Sequence, residues 1–234
     1  MEKTKLILVP GLLCDALLWR AQLDALADVA EMRVADHTRS ATMAEVARDV
    51  LADAPYKSFA LAGLSMGGYV ALEMMRQAPQ RVHRLALLDT SARGESPEQT
   101  ERRKAFIALA ARGKFAGVTE ALMPQLIHPS RLGDTALTGA IRQMANNVGK
   151  EAFVRQQQAI MSRAESRPLL AAIKCPTLVL CGRQDQLTPL DRHEEMAAGI
   201  QGAKLEVLEE CGHISTMEKP GEVNRALRQW LAGP

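Results

Sequence analysis

Six short apolar runs bounded by charges or turn residues recur along the chain, at Leu6–Val9, Met32–Ala35, Ser58–Ala62, Leu85–Leu88, Thr177–Cys181 and Leu205–Leu208. Between most of them lie stretches such as Ala16–Asp28, Met43–Ala54 and Met66–Gln77, whose apolar residues fall at i, i+3, i+4 and i+7, the spacing of one helix face. Short buried strands alternating with helices are the pattern of βαβ units. The expected fold is therefore α/β: a mostly parallel six-stranded sheet flanked by helices. The 234 residues, 47% of them hydrophobic, are enough for one substantial core and argue against a second full domain.

The rhythm fails once, between Ser91 and Pro168. Arg93–Glu98 reads as a loop rich in Gly, Ser and Pro, and helical patterns follow at about Gln99–Arg112, Val118–Ile127, Thr135–Asn147 and Glu151–Ser166. Loops without structure seldom exceed about 12–15 residues, so this stretch is expected to be a helical cap, 93–168, inserted between strands four and five of a core made of 1–92 and 169–234. Pro220–Leu231, with Pro at its start and Val223, Leu227, Trp230 and Leu231 at helical spacing, reads as a closing helix.

The third apolar run leads into Gly63-Leu-Ser65-Met-Gly67-Gly68 and then the helical stretch Tyr69–Ala78. A G-x-S-x-G between a strand and a helix makes Ser65 a candidate nucleophile. Such a turn must project one side chain beyond the strand end and start a helix at once, which calls for glycine where a Cβ would meet backbone. The nascent helix N-terminus offers N–H groups and a positive dipole end to an oxyanion. The competing reading is a plain N-cap or a phosphate-binding turn. G-L-S-M-G-G does not match the G-x-G-x-x-G dinucleotide fingerprint, however, and it follows the third strand and not the first.

A serine hydroxyl needs an imidazole to take its proton. Of five histidines, His37, His83, His128 and His193 lie near strand starts or helix ends and are expected at the surface. His213, in Glu210-Cys-Gly-His213, directly follows the last strand at the sheet's carboxyl edge, where reacting groups of parallel sheets collect. A carboxylate on a neighbouring strand end should orient it. Asp185, after the strand Thr177–Cys181 and a glycine turn, is the first candidate, although a turn-capping Asp is the simpler reading of that residue alone. Asp89, at the end of the preceding strand, is its rival.

Together, Leu6-Ile-Leu-Val-Pro-Gly11-Leu12, Gly63–Gly68, Leu85–Ser91, Pro176–Asp185 and Cys211-Gly-His213 with Glu218-Lys-Pro220 resemble the α/β-hydrolases over nearly the whole length outside the cap. The resemblance implies a serine hydrolase with catalytic Ser65, Asp185 and His213, and an oxyanion hole formed by the backbone N–H groups of Leu12 and Met66. Two departures stand out. Pro10 occupies a position where many relatives have histidine, so a histidine supporting the oxyanion loop is missing there, and the first two strands of larger members are absent. Relatives of this kind include carboxylesterases, enol-lactonases, carbon–carbon bond hydrolases, cofactor-free perhydrolases and hydroxynitrile lyases. One triad serves them all. The expected activity is cleavage of a small to medium carboxylic ester or lactone, with carbon–carbon cleavage, perhydrolysis or lyase chemistry as the alternative and a non-catalytic ligand receptor as the remote one.

Specificity falls to the cap, where Leu109, Phe115, Leu122, Met123, Leu126, Ile127, Met144, Phe153 and Met161 are candidate lining residues for a pocket of aliphatic and Met character with few aromatics. Arg163 and Arg167 could meet a carboxylate, but arginines near helix ends are usually solvated. A net charge of +2 gives no field to attract nucleic acid or a membrane surface. The expected partner is a small-molecule ester or lactone. Cys14, Cys175, Cys181 and Cys211 do not have zinc-module spacing and read as free, buried, small residues. No cofactor and no metal are expected. With neither a signal-peptide pattern nor a run of about 20 apolar residues, the protein is expected to be soluble and cytoplasmic.

Overall fold

In the computed structural model, which describes residues 3–113, 115, 117 and 121–233, six strands form one sheet in the order β2-β1-β3-β4-β5-β6. They are β1 (Thr4–Val9), β2 (Ala30–Val34), β3 (Phe59–Leu64), β4 (Val82–Leu88), β5 (Thr177–Gly182) and β6 (Lys204–Leu208). Every pairing is parallel. β3, flanked on both sides, is buried at all six residues, whereas the edge strand β6 exposes Lys204 and Leu205.

The helices in chain order are α1 (Arg20–Ala25), α2 (Met43–Asp53), α3 (Met66–Gln77), α4 (Pro97–Ala111), α5 (Met123–Leu126), α6 (Thr135–Met161), α7 (Arg167–Leu170), α8 (Leu190–Gly199), α9 (Ser215–Glu218) and α10 (Pro220–Ala232). The period-two alternation of strand side chains assigns them to two layers. Ile7, Val9, Leu61, Leu85, Leu87 and Val179 face α2, α3 and α8 through Val46, Val50, Val70, Met74 and Met196. Leu6, Leu8, Ala60, Ala62, Leu88 and Leu180 face the opposite layer, with Leu18, Trp19, Val223, Leu227 and Trp230. At about 25 cal/mol per Å² of apolar surface removed from water, these two faces are the main source of stability.

Capping chemistry sets several boundaries. Thr42 accepts the Glu45 N–H at the start of α2, whose Met43, Val46, Ala47, Val50 and Leu51 are buried. Ser96 and Gln99 form a reciprocal capping box ahead of Pro97, so α4 begins two residues before the expected Gln99. Gly149, at φ 76° and ψ 176°, interrupts α6; the two expected helices therefore run end to end, the second stopping at Met161. Of the helix expected at Val118–Ile127 only α5 is seen, and residues 118–120 lie outside the described ones. Ala16–Asp28 divides into a 3-10 turn, Ala16–Trp19, and the short α1.

Helices α4, α5, α6 and α7 lie between β4 and β5. The strand order reverses between β1 and β3, since the chain runs outward from β1 to β2 and then returns to β3 on the other side of β1. The crevice at the carboxyl ends of β1 and β3 is where an open parallel sheet binds its ligand. Among the described residues no helix is long and apolar enough to cross a membrane.

Candidate active site

Ser65 stands between β3 and α3 at φ 55° and ψ −116°, a backbone conformation costly for a residue with a Cβ. The glycines around it explain how the turn fits. A Cβ on Gly63 would lie 2.2 Å from the Gly67 carbonyl oxygen, and one on Gly67 would lie 2.1 Å from the carbonyl oxygen of Val9. The start of α3 is thus pressed against β1, next to the loop that carries Leu12. The Ser65 carbonyl accepts from Gly68 N–H at 2.9 Å and Thr90 Oγ1–H at 2.8 Å. Met66 is the first residue of α3, so its N–H has no intrahelical acceptor.

The structure brings the three expected side chains together. His213 Nε2 lies 2.8 Å from Ser65 Oγ, and His213 Nδ1 lies 2.8 Å from Asp185 Oδ2. With Nδ1–H donated to the carboxylate, Nε2 is left as the acceptor for the serine proton. Asp185 also accepts the N–H groups of Leu187 and Thr188 at 2.8 and 2.9 Å on Oδ1, and Thr188 Oγ1–H at 2.7 Å on Oδ2. It is therefore a turn-capping Asp and the partner of His213 at once. Burial opposes ionisation of both groups, yet the His213 charge and the hydrogen bonds around it hold the Asp185 carboxyl below its ordinary range. Burial likewise opposes the His213 cation, but Asp185 outweighs it and raises the imidazole above its usual value.

The rival orienter, Asp89, accepts from other donors, while Asp185 takes the hydrogen bond to His213. Asp89 sits at the end of β4, but its oxygens accept from Gly182 N–H at 3.1 Å and from the N–H and Oγ–H of Ser215. It braces the two loops that carry Asp185 and His213. A second buried carboxylate does related work. Glu218 accepts the N–H groups of Gly212 at 2.9 Å and Ile214 at 3.4 Å on one oxygen, and that of His128 at 2.6 Å on the other. His213 N–H itself donates to the Leu126 carbonyl at 2.9 Å, so the His213 loop is tied to the segment around α5. No sequence signal points to this bracing by Glu218, which in the sequence is marked only by the motif Glu218-Lys-Pro220.

Other expectations need correction. His83 is exposed and His128 half-buried, but His37 and His193 are buried, because each serves the main chain. His193 Nε2 accepts Thr90 N–H at 2.9 Å, and burial lowers its pKa to about 4. His37 approaches the Gly11 carbonyl at 2.9 Å. Arg163 is half-buried with its side chain largely covered: it pairs with Glu95 and lies over the Tyr69 ring at 4.5 Å, while Arg167 is exposed and pairs with Glu165. Cys14, Cys181 and Cys211 are buried and free, and burial pushes the Cys14 thiol up to about 12; Cys175 is half-buried. Among the described residues no group of His, Cys, Asp and Glu could hold a metal ion.

Ser65 and His213 open into a cavity of about 440 Å³, a size common for small-molecule sites. Leu109, Phe115, Leu122, Leu126 and Phe153 line it as expected. Met123, Ile127 and Met144 instead pack into the core layer facing α10, and Met161 is a half-buried residue away from the wall. The wall also carries Phe106 and Tyr69, so the site is aliphatic as expected, with leucines and isoleucines predominating, but four aromatic rings and, among the described residues, no methionine line it, contrary to the expected Met content and scarcity of aromatics. Phe115 and Phe153 pack with centroids 5.3 Å apart. The charged side chains on the wall, apart from His213, are Arg102 and Arg103.

A doubly wound parallel sheet with a serine at a strained strand–helix turn and a histidine after the last strand defines the fold class of the serine hydrolases. The chain belongs to the α/β-hydrolase family: the family profile described as alpha/beta hydrolase fold matches residues 5–220. It is 31% identical over 176 residues to a 2-hydroxy-6-oxo-6-phenylhexa-2,4-dienoate hydrolase of Comamonas testosteroni, an alignment covering 73% of this chain and 62% of that protein. Among solved structures, a thermophilic esterase from Thermogutta terrifontis with malate bound is 32% identical, with a TM-score of 0.89 over 97% of this chain and 89% of the other. The enol-lactonase of Burkholderia xenovorans LB400 reaches the same TM-score over 100% and 93% at 24% identity, a likeness of fold alone.

Proposed function

We propose that the protein is a serine hydrolase that cleaves a carboxylic ester or lactone through an acyl-enzyme on Ser65. The observation that carries this reading is the continuous hydrogen-bonded line Ser65 Oγ, His213 Nε2, His213 Nδ1 and Asp185 Oδ2, with both gaps at 2.8 Å, whose Ser65 and His213 line the cavity. Ser65 Oγ attacks the carbonyl carbon while His213 Nε2 takes the hydroxyl proton. The oxyanion is met by the N–H groups of Leu12 and Met66, each of the order of 10²–10³-fold in rate when such a donor is lost. Collapse expels the alcohol, which receives the proton from His213. A water then gives its proton to His213 and attacks the acyl carbon, releasing the acid and restoring Ser65. Asp185 holds the Nδ1–H tautomer and stabilises the imidazolium. Residues 93–168 act as the cap that shapes the substrate site. The esterase similar to this chain supports the ester reading.

The second reading is hydrolysis of a carbon–carbon bond in a carboxylate-bearing substrate, supported by the Comamonas relative and by Arg102 on the cavity wall, where the described lining residues include no acidic side chain; Arg103 on the same wall already pairs with Glu95 at 2.6 Å. Ser65→Ala, assayed with p-nitrophenyl butyrate and with a dienoate ketone acid, separates these readings. The ester reading expects Ser65-dependent turnover of the butyrate ester; turnover of the ketone acid alone selects the second reading, and an undiminished esterase rate in the variant removes Ser65 from the mechanism.

A further inference from the structure

We propose that Gln156 and His37 are positioning residues that hold the turn after β1 so that the Leu12 N–H is presented to the oxyanion. The inference rests on the serine-hydrolase reading above and deepens it.

Leu12 lies in a turn closed by the Cys14 N–H to Gly11 carbonyl bond, 3.1 Å long. The next residue, Leu13, has φ 59°, a left-handed conformation that a side chain of this size seldom adopts without external support. That support comes from outside the turn on both sides of Leu12. The Leu13 N–H donates to Gln156 Oε1 at 3.1 Å, and His37 Nε2 lies 2.9 Å from the Gly11 carbonyl oxygen. Gln156 Nε2 is in turn 3.0 Å from His37 Nε2. A neutral imidazole nitrogen serves one of these neighbours at a time: as N–H it donates to the Gly11 carbonyl, and as a lone pair it accepts from the Gln156 amide. In either state Gln156 retains Leu13. Gln156 is 0% exposed and His37 is 2% exposed, so water does not compete for these groups.

His37, 26 residues beyond Gly11 in the loop after β2, brings an imidazole to this turn from the side. Gln156 comes from the second half of α6, whose Phe153, Gln157 and Ile160 line the cavity. Neither residue is among the groups lining the cavity, so both act through Gly11 and Leu13. A side chain that only stabilised the fold would leave the chemistry of the folded enzyme unchanged. A residue that aims an oxyanion donor affects the transition state and spares the bound substrate.

The test measures Gln156→Met, which keeps volume but has no donor and only a weak thioether acceptor, and Gln156→Glu, which keeps an acceptor for Leu13 N–H, with p-nitrophenyl butyrate. Affinity for a trifluoromethyl ketone transition-state analogue is measured in parallel. We expect the Met variant to lose roughly ten- to a hundred-fold in kcat with KM within two-fold, analogue affinity to fall by a similar factor, and the Glu variant to stay within five-fold of the wild type. A folded Met variant with kcat within two-fold of the wild type overturns the inference, as does a loss of kcat without loss of analogue affinity. If the Met variant does not fold, a folded Glu variant decides: within five-fold supports the proposal, and a hundred-fold loss overturns it. Failure of the parent reading shows separately, as Ser65-independent turnover in Ser65→Ala.

Discussion

Asp89 and Ser215 link the end of β4 to the start of α9: Asp89 Oδ2 accepts both the main-chain N–H of Ser215, at 3.2 Å, and its hydroxyl, while Oδ1 accepts the N–H of Gly182. All three residues are buried or nearly so, and the carboxylate spans the two loops that hold Asp185 and His213. Removing it leaves three buried donors without an acceptor, each worth about 1–3 kcal/mol when orphaned. Asp89→Ala is therefore expected to lose about 3 kcal/mol or more in urea unfolding, together with a fall in kcat as the His213 loop relaxes. An unchanged unfolding midpoint would mean that the loops hold each other without it.

The pair Asp185 and His213 sets the pH dependence. A base must be neutral to accept the Ser65 proton, so kcat/KM rises with pH through the His213 pKa, which the Asp185 charge holds above the usual value of about 6.5. Asp185→Asn removes the anion that stabilises the imidazolium, and the cation becomes easier to deprotonate. The acid limb of the profile is expected to move to lower pH, while kcat drops on the order of 10⁴-fold as the tautomer is lost. An acid limb that stays in place or moves upward in Asp185→Asn contradicts the assignment.

Gly182 is required by close approach. A Cβ there would lie 2.1 Å from the carbonyl oxygen of Gly212 and 2.3 Å from that of Cys211, rigid backbone of the loop that carries His213. Gly182→Ala must push that loop away from β5, stretching both the Asp185 contact and the reach to Ser65. Overpacking of this kind costs about 1–3 kcal/mol and more where backbone must move. At about 3 kcal/mol, a fall in Tm of roughly 6–12 °C is expected in calorimetry, with loss of p-nitrophenyl butyrate turnover at temperatures where the variant remains folded. Gly149, which has nothing within 4 Å of its Cβ position but a φ of 76°, provides the contrast: substitution there strains the backbone of α6 without displacing the His213 loop.

How much of this was legible before the structure follows from the range of the signals. The strands were readable because central parallel strands are continuous apolar runs, and Ser65 and His213 because their neighbours in sequence create their settings: the glycines that admit the turn, and the strand that precedes the loop. The start of α4 was also available locally, in the Ser96-x-x-Gln99 capping box, but the Gly, Ser and Pro around it suggested only a loop. Contacts between residues far apart in sequence were not available. Nothing near His37 indicates that it reaches Gly11, and nothing near Glu218 indicates that its carboxylate gathers the N–H groups of residues 128, 212 and 214. Apolar residues of α5 and α6 all look alike in sequence. Whether Met144 meets the core or Phe153 meets the cavity depends on how these helices rest on the sheet.

The aromatic wall gives the substrate side of the site a measurable consequence. Phe153 is 8% exposed, packs against Phe115 at 5.3 Å, and belongs to the stretch of α6 that carries Gln156. As a ring on the cavity wall it is expected to meet the acyl group in ground state and transition state alike, so shortening it removes uniform binding. Phe153→Ala is expected to raise KM for p-nitrophenyl esters with kcat nearly unchanged. The effect should grow with acyl length, because each further buried methylene contributes about 0.8 kcal/mol where the wall encloses it. For a hexanoate ester, a loss of about 1.4 kcal/mol corresponds to a ten-fold higher KM, while the acetate ester, too short to reach the ring, should change little. Steady-state kinetics across the acetate-to-octanoate series checks this. An equal rise at every length would show that Phe153 shapes the cavity only indirectly, and a fall in kcat with KM unchanged would show that its loss is transmitted through Gln156 to the turn at Leu12.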